Sequence, residues 1–231
     1  MTAARSLDGT PTFCVPTGNF GNVLAGWIAR RMGAPIDDFI VASNTNDILT
    51  RFINDADMSA REVVPTLSPS MDIQVSSNFE RLLFEMNGRD GGLTAEQLLR
   101  FRATGRLDVE ADQRAEFIDG TFRAARCDDD ATLAEIGRVH AETGMLIDPH
   151  TATGTAAARQ LGDGCDAVVT LATAHPAKFP DAVERATGVR PSLPPHLADL
   201  FDRPERTQVL PNDLAAVQTF VRSVARATSP S

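Results

Sequence analysis

The first 45 residues of the chain alternate between apolar and loop segments in a way that few architectures accommodate. Thr12–Val15 is a short apolar run that ends at Pro16, and a tight loop with two glycines follows it. Apolar residues then recur at helical spacing from Val23 to Met32, and residues 39–42 form a second apolar run. A strand, a helix and a second strand in this order form a βαβ unit, which places both strands in one parallel sheet.

The rest of the chain continues the alternation of helix and strand patterns. Residues 151–161 are rich in alanine, which suits a closely packed helix, and residues 167–171 form a third apolar strand. We therefore predict an α/β fold with a mainly parallel twisted sheet and helices on both faces. The 231 residues suffice for one domain over residues 1–231, in which the charged stretch 88–126 forms a peripheral helical excursion.

Charge and composition argue against several classes of function. The net charge is −9 and no dense basic run occurs, which disfavours nucleic-acid binding through phosphate neutralisation. No apolar stretch has the length of a membrane span, and no secretory signal pattern opens the sequence, so we expect no membrane partner. The three cysteines are widely spaced, which fits neither a disulfide framework nor a metal site and indicates a cytoplasmic protein.

The loop after the first strand contains Gly18 and Gly21, three residues apart. Glycines at this spacing let the backbone turn sharply and direct several N–H groups at one point, and the following helix N-terminus favours an anion. The loop has no lysine, which excludes the P-loop of nucleotide hydrolases. On spacing alone, a phosphate site and an ordinary strand–helix turn both remain open.

A second polar group follows the third strand. Thr173, His175 and Lys178 lie within six residues of one another, where ligands of open α/β sheets collect, although a polar loop without function is the alternative. Lys178 is the only lysine of the chain, so a mechanism that needs a Schiff-base lysine has one candidate. Further upstream, we interpret Thr151 as the cap of the alanine-rich helix.

Five segments in this order resemble threonine synthase. They are residues 16–22 (PTGNFGN), 43–47 (SNTND), 68–81 (SPSMDIQVSSNFER), 148–152 (DPHTA) and 173–179 (TAHPAKF). The resemblance extends from about Phe13 to Phe220 and implies an enzyme dependent on pyridoxal 5'-phosphate (PLP), of fold type II, similar to the tryptophan synthase β chain. Threonine synthases convert O-phospho-L-homoserine and water to L-threonine and phosphate. A dehydratase or a cysteine synthase of the same fold type is the alternative within the resemblance, and the third and fifth segments disfavour it.

The resemblance also implies which residues form the site. The PLP phosphate contacts are Gly18, Asn19, Phe20, Gly21 and Asn22, and Thr173 meets the pyridine nitrogen through its hydroxyl. Contacts on the substrate side are Asn44, Asn46, Ser77 and Asn78, with Asp148, His150 and His175 as supports. No metal is implied.

The sequence departs from the family in one respect. Threonine synthases carry the Schiff-base lysine upstream of the glycine loop, whereas here that loop begins at residue 18 and Lys178 does not match the anchor. We therefore expect a C-terminal part that lacks the N-terminal lobe and contains no catalytic residue of its own. The missing N-terminal half is then a candidate partner chain, and a non-catalytic phosphate-ligand-binding or interaction module is the alternative.

Overall fold

The computed structural model describes residues 9–225 of the chain. It divides into two compact units, one that reaches to Ser192 and one that starts at Leu193. Every residue of the predicted site belongs to the first unit. The single domain over residues 1–231 stays a prediction, and its two ends, residues 1–8 and 226–231, lie outside the described part.

The first unit is built on a parallel sheet. Its strands are β1 (Thr12–Pro16), β2 (Phe39–Ser43), β5 (Phe122–Arg126) and β6 (Val168–Thr170), with a separate antiparallel pair, β3 (Met58–Ser59) and β4 (Arg106–Leu107). The sheet order is β5-β2-β1-β6, and every neighbouring pair is parallel. The predicted βαβ unit at the start of the chain is therefore confirmed.

Helices cover this sheet on both sides. In the first unit they are α1 (Gly21–Arg31), α2 (Ile48–Asp55), α3 (Phe79–Met86), α4 (Gly91–Thr104), α5 (Ala111–Phe117), α6 (Asp129–Thr143), α7 (Pro149–Leu161) and α8 (Pro180–Thr187). The second unit contains α9 (Leu214–Val224). No helix of residues 9–225 is long and apolar enough to cross a membrane.

Alternate strand residues enter two different cores, because successive side chains of a strand point to opposite faces. Val15 and Val41 belong to a large apolar cluster with residues of α1, α2 and α3. Cys14 and Ile40 belong to a smaller cluster that includes Ala157 of α7. The predicted α/β architecture with helices on both faces is thus confirmed.

The segment predicted as a peripheral helical excursion differs from that prediction at its C-terminal end. Residues 88–126 do contain α4 and α5, but their last five residues form β5, which pairs with β2. Phe122 and Ala124 face the large core, and Ala125 faces the smaller one. Small alanines give a weak strand signal in sequence, and only the covering helices on both faces make this segment a strand.

The alanine-rich helix packs as closely as its composition suggests. A Cβ atom placed on Gly154 of α7 would lie 2.9 Å from Pro16 Cγ and 2.9 Å from Thr170 Cγ2. These separations are below van der Waals contact, so the helix approaches the carboxyl ends of β1 and β6 only because residue 154 has no side chain. The start of α7 is thereby placed next to the loops that follow both strands.

Candidate functional site

A cavity of about 240 Å³ opens at the carboxyl ends of β1 and β6. It is lined by residues 15–22, Ser70, Met71, Asn78, His150 and Thr173. This edge of a parallel sheet is where α/β proteins bind their ligands. All six residues that the family resemblance assigns to the cofactor lie on this one cavity, although Thr173 is more than 150 residues from the others in sequence.

The loop of residues 17–22, which we call the glycine loop, is pressed against a neighbouring segment. A Cβ atom on Gly18 would lie 2.6 Å from the carbonyl oxygen of Ser70 and 3.1 Å from Met71 Cα. Both are backbone atoms, which cannot move aside as the end of a side chain can. Glycine at position 18 is therefore required by this close approach.

Within the glycine loop, Phe20 has an unusual backbone conformation. This residue has a φ of 65° in the left-handed region, directly before the first residue of α1. Its side chain is buried and packs 5.7 Å from the ring of Phe79 and 5.8 Å from the ring of Phe122, measured between centroids. Burial of the aromatic ring offsets the cost of a left-handed non-glycine residue and fixes the end of the loop.

The N–H groups of residues 18–22 in the glycine loop are available to a ligand. Within residues 9–225, no hydrogen-bond acceptor is recorded for the N–H groups of residues 18–22, and no side chain caps the start of α1. Unsatisfied N–H groups at the N-terminus of an 11-residue helix carry partial positive charge. The arrangement favours a phosphate or another oxyanion.

The carbonyl groups of the same loop are held from the other side. Ser76 Oγ donates to the carbonyl oxygen of Gly18 at 2.9 Å. The backbone N–H and the side-chain Nδ2 of Asn78 donate to the carbonyl oxygen of Asn19 at 3.0 and 2.9 Å. Ser76 and Asn78 therefore brace the loop. Ser76 was not among the predicted site residues, and its only signal in the sequence was its place in the third family segment.

Two of the residues expected on the substrate side, Asn44 and Asn46, lie away from the cavity lining. Both are buried, and their Nδ2 groups donate to Asp72 Oδ1 at 2.8 and 3.0 Å. Thr66 Oγ1 donates to the same oxygen at 2.6 Å. In this structure the two asparagines hold the turn that leads to Ser70, and their substrate role stays a prediction.

The other two substrate-side candidates are separated from each other. Ser77 is exposed and lines a different hollow beside Met58 and Phe79. Asn78 is the one of the four that lines the cavity. The substrate assignment of Ser77 and Asn78 also stays a prediction.

Thr173 and its polar neighbours do not all face the cavity. Thr173 is exposed on the cavity, and no hydrogen-bond partner of its hydroxyl is recorded within residues 9–225. His175 instead accepts a hydrogen bond from the N–H of Ala177 through Nδ1 at 3.1 Å, which caps a short 3₁₀ turn. Lys178 lies in another hollow, with its Nζ 5.8 Å from the centre of the Phe179 ring.

The start of α7 is capped by Asp148, not by Thr151 as the sequence suggested. Asp148 is fully buried and accepts hydrogen bonds from the N–H groups of His150 at 2.9 Å and of Thr151 at 3.3 Å. Its Oδ2 also accepts the Thr151 hydroxyl. Asp148 is the better N-cap residue because one carboxylate accepts from several first-turn donors, whereas a threonine offers one hydroxyl oxygen.

Asp148 also orients His150, whose imidazole reaches the cavity. His150 Nδ1 lies 2.9 Å from Asp148 Oδ1, and His150 Nε2 accepts from the N–H of Ser70 at 3.3 Å. Burial acts to raise the pKa of Asp148, but the hydrogen bonds from His150 and Thr151 outweigh it and hold that pKa below its usual value. The site therefore contains a charged, fully bonded carboxylate.

The chemistry of the Cys14 thiol is limited by its burial. Cys14 precedes the cavity residue Val15 in β1 and is fully buried, and burial raises the pKa of its thiol to about 12. The thiol donates to the carbonyl oxygen of Gly154 at 3.0 Å, so it acts as a packed donor and not as a nucleophile. No group of three or more metal-ligating side chains occurs within residues 9–225.

Comparison with known proteins bears on the same segments. Residues 151–221 match the family described as "Threonine synthase, C-terminal". The threonine synthase of Pseudomonas aeruginosa is 53% identical over 211 residues, which cover 90% of this chain and 45% of that protein. The resemblance to threonine synthase is confirmed.

Solved structures of threonine synthases share the fold. The PLP-bound threonine synthase of Brucella melitensis is 46% identical, with a TM-score of 0.87 over 98% of this chain and 49% of that one. Yeast threonine synthase is 34% identical, with a TM-score of 0.76 over 84% of this chain and 43% of that one. The chain thus spans about half the length of the threonine synthases that it matches.

Proposed function

We propose that this chain supplies the phosphate and ring-nitrogen contacts of PLP in a threonine synthase. The reaction is the conversion of O-phospho-L-homoserine and water to L-threonine and phosphate. The observation that carries the proposal is the glycine loop: it lines the cavity, no acceptor is recorded within residues 9–225 for the N–H groups of residues 18–22, and Gly18 lies too close to the Ser70 backbone for a Cβ atom. Similarity to the PLP-bound Brucella melitensis enzyme supports the same assignment.

The residues around the cavity suit PLP in charge and in hydrogen bonding. The N–H groups of residues 18–22 would hold the phosphate without a side-chain cation, as a helix N-terminus does. The free hydroxyl of Thr173 would meet the ring nitrogen at the opposite end. The cavity of about 240 Å³ is slightly smaller than the roughly 300–1,000 Å³ of most ligand pockets.

The glycine loop, its two bracing residues and Thr173 each have a definite part in the proposed site. When bound, PLP supplies an electron sink for the carbon chemistry of the amino acid. The glycine loop binds and orients the phosphate, and Ser76 and Asn78 keep its N–H groups convergent. Thr173 offers a neutral hydrogen bond and therefore, unlike an aspartate, does not hold the ring nitrogen protonated.

The turnover itself is testable with two polypeptides. The chain is assayed by itself, and then mixed with a separately expressed N-terminal half of the Pseudomonas aeruginosa relative, for release of phosphate and formation of L-threonine from O-phospho-L-homoserine. We expect both products from the mixture. PLP binding with no turnover in the mixture would instead favour a non-catalytic phosphate-ligand module.

Substitution of Thr173 tests the ring contact. We expect Thr173→Ser to retain the affinity for PLP, and Thr173→Val, which keeps the shape but has no hydroxyl, to weaken it about fivefold through loss of roughly 1 kcal/mol. Affinity is measured by titration of PLP absorbance. Inorganic phosphate, which has no ring, should bind both variants equally, and wild-type PLP affinity in Thr173→Val would contradict the contact.

Lys178 should not anchor the cofactor, because it lies outside the cavity lining. After incubation with PLP and reduction with borohydride, we expect mass spectrometry to show no stoichiometric label on Lys178. Lys178→Arg should retain PLP as wild type does. Stoichiometric labelling of Lys178 would show that this lysine is the anchor.

A further inference from the structure

We propose that His150 is a positioning residue that fixes the glycine loop by holding the backbone of Ser70 against Gly18. This inference rests on the PLP site proposed above and adds a determinant of phosphate affinity that acts through the backbone of Ser70. The chain of contacts runs from Asp148 through the His150 ring to Ser70 and then to Gly18.

The imidazole of His150 is locked in one orientation. It is 4% exposed, and its ring lies 4.7 Å from the Phe179 ring, measured between centroids. Asp148 cannot donate, so Nδ1 carries the hydrogen that bridges the 2.9 Å to Asp148 Oδ1. This tautomer leaves Nε2 as an acceptor, which is what the N–H of Ser70 requires at 3.3 Å.

The segment that His150 holds forms a wall of the cavity. Residues Pro69–Met71 form a 3₁₀ turn, and its next residue, Asp72, is bound by Asn44 and Asn46. One end of the turn is therefore anchored by the buried asparagines, and His150 anchors its middle. The two anchors come from different elements, since the asparagines follow β2 and the histidine begins α7.

The turn of residues 69–71 in turn restricts the conformation of the glycine loop. The carbonyl oxygen of Ser70 leaves no room for even a Cβ atom on Gly18. If the Nε2 acceptor is removed, the N–H of Ser70 has no partner. The turn of residues 69–71 is then held less firmly and can move away from Gly18. The glycine loop then gains alternative conformations, and its N–H groups no longer converge on one phosphate.

Two amide substitutions at His150 test the roles of Nδ1 and Nε2 separately. His150→Asn keeps a donor near the position of Nδ1 but places no acceptor near the position of Nε2. His150→Gln reaches that position with its amide oxygen and can accept from Ser70. We expect His150→Asn to weaken binding of PLP and of inorganic phosphate about tenfold, the upper range for loss of one hydrogen bond, and His150→Gln to restore most of it.

The readouts distinguish positioning from general damage to the fold. Pyridoxal, which has no phosphate, should bind wild type and both variants equally, and hydrogen exchange of the Ser70 amide should be faster in His150→Asn alone. His196→Asn, at an exposed histidine of the second unit, is the matched control and should change neither quantity.

Two results would overturn the inference. One is unchanged Ser70 exchange in His150→Asn, and the other is faster exchange with undiminished phosphate affinity. If wild type binds neither PLP nor phosphate, the proposed cofactor site fails and the phosphate role of His150 fails with it. Ser70 exchange would then still report whether His150 holds the wall.

Discussion

Gly18→Ala is expected to lower the affinity of this chain for PLP about 100-fold. The added Cβ atom would lie 2.6 Å from the carbonyl oxygen of Ser70, and this backbone is anchored by His150. Relief of the clash must displace the glycine loop or the wall, and overpacking of this kind costs roughly 1–3 kcal/mol. Displacement of either one disperses the N–H groups that would bind the phosphate.

Gly21→Ala is the matched control for this substitution. Its Cβ atom would lie 3.4 Å from Nδ2 of Asn78, which is an ordinary van der Waals distance. We expect PLP affinity within about threefold of wild type, because the added methyl group fits without displacing Asn78 from the loop. PLP titrations are combined with urea unfolding to establish that both variants are folded. Equal PLP affinities of Gly18→Ala and wild type would contradict the proposed binding of the phosphate by the glycine loop.

Asp148→Ala is expected to lower the free energy of unfolding by about 3 kcal/mol. The carboxylate is fully buried and accepts from two backbone N–H groups, a hydroxyl and an imidazole, so its removal leaves several buried donors unpaired. Asp148→Asn retains the volume and one acceptor oxygen and should cost less. Urea unfolding at neutral pH measures both, and a cost below about 1 kcal/mol for Asp148→Ala would refute the importance of this cap.

The lowered pKa of Asp148 also predicts how the stability difference between wild type and Asp148→Asn depends on pH. Because the pKa of this carboxyl is lower in the folded than in the unfolded chain, its charge contributes stability that is fully present above the unfolded value. That contribution is lost as the pH falls through the folded value. The stability difference between wild type and Asp148→Asn should thus be constant from about pH 5 to 8 and narrow below about pH 4. A difference that widens in acid would contradict this assignment.

The local sequence pattern was sufficient to identify the site residues that directly follow strands. Gly18 and Gly21 were recognisable as a turn because they stand between an apolar run and a segment of helical periodicity, and the family resemblance then favoured an anion site over an ordinary turn. Thr173 follows another apolar run in the same way. Since parallel strands end at the same edge of a sheet, the sequence also implied that Thr173 and the glycine loop would lie close together.

Tertiary structure decided which polar residues face the cavity and which hold its walls. Asn44 and Asn46 have the same chemistry as cavity residues, yet their buried bonds to Asp72 place them behind the wall. Ser70 and His150 are 80 residues apart in the chain, and no local signal pairs them. Their contact exists because Gly154 lets α7 pack directly on β1 and β6, which brings the start of that helix to the glycine loop.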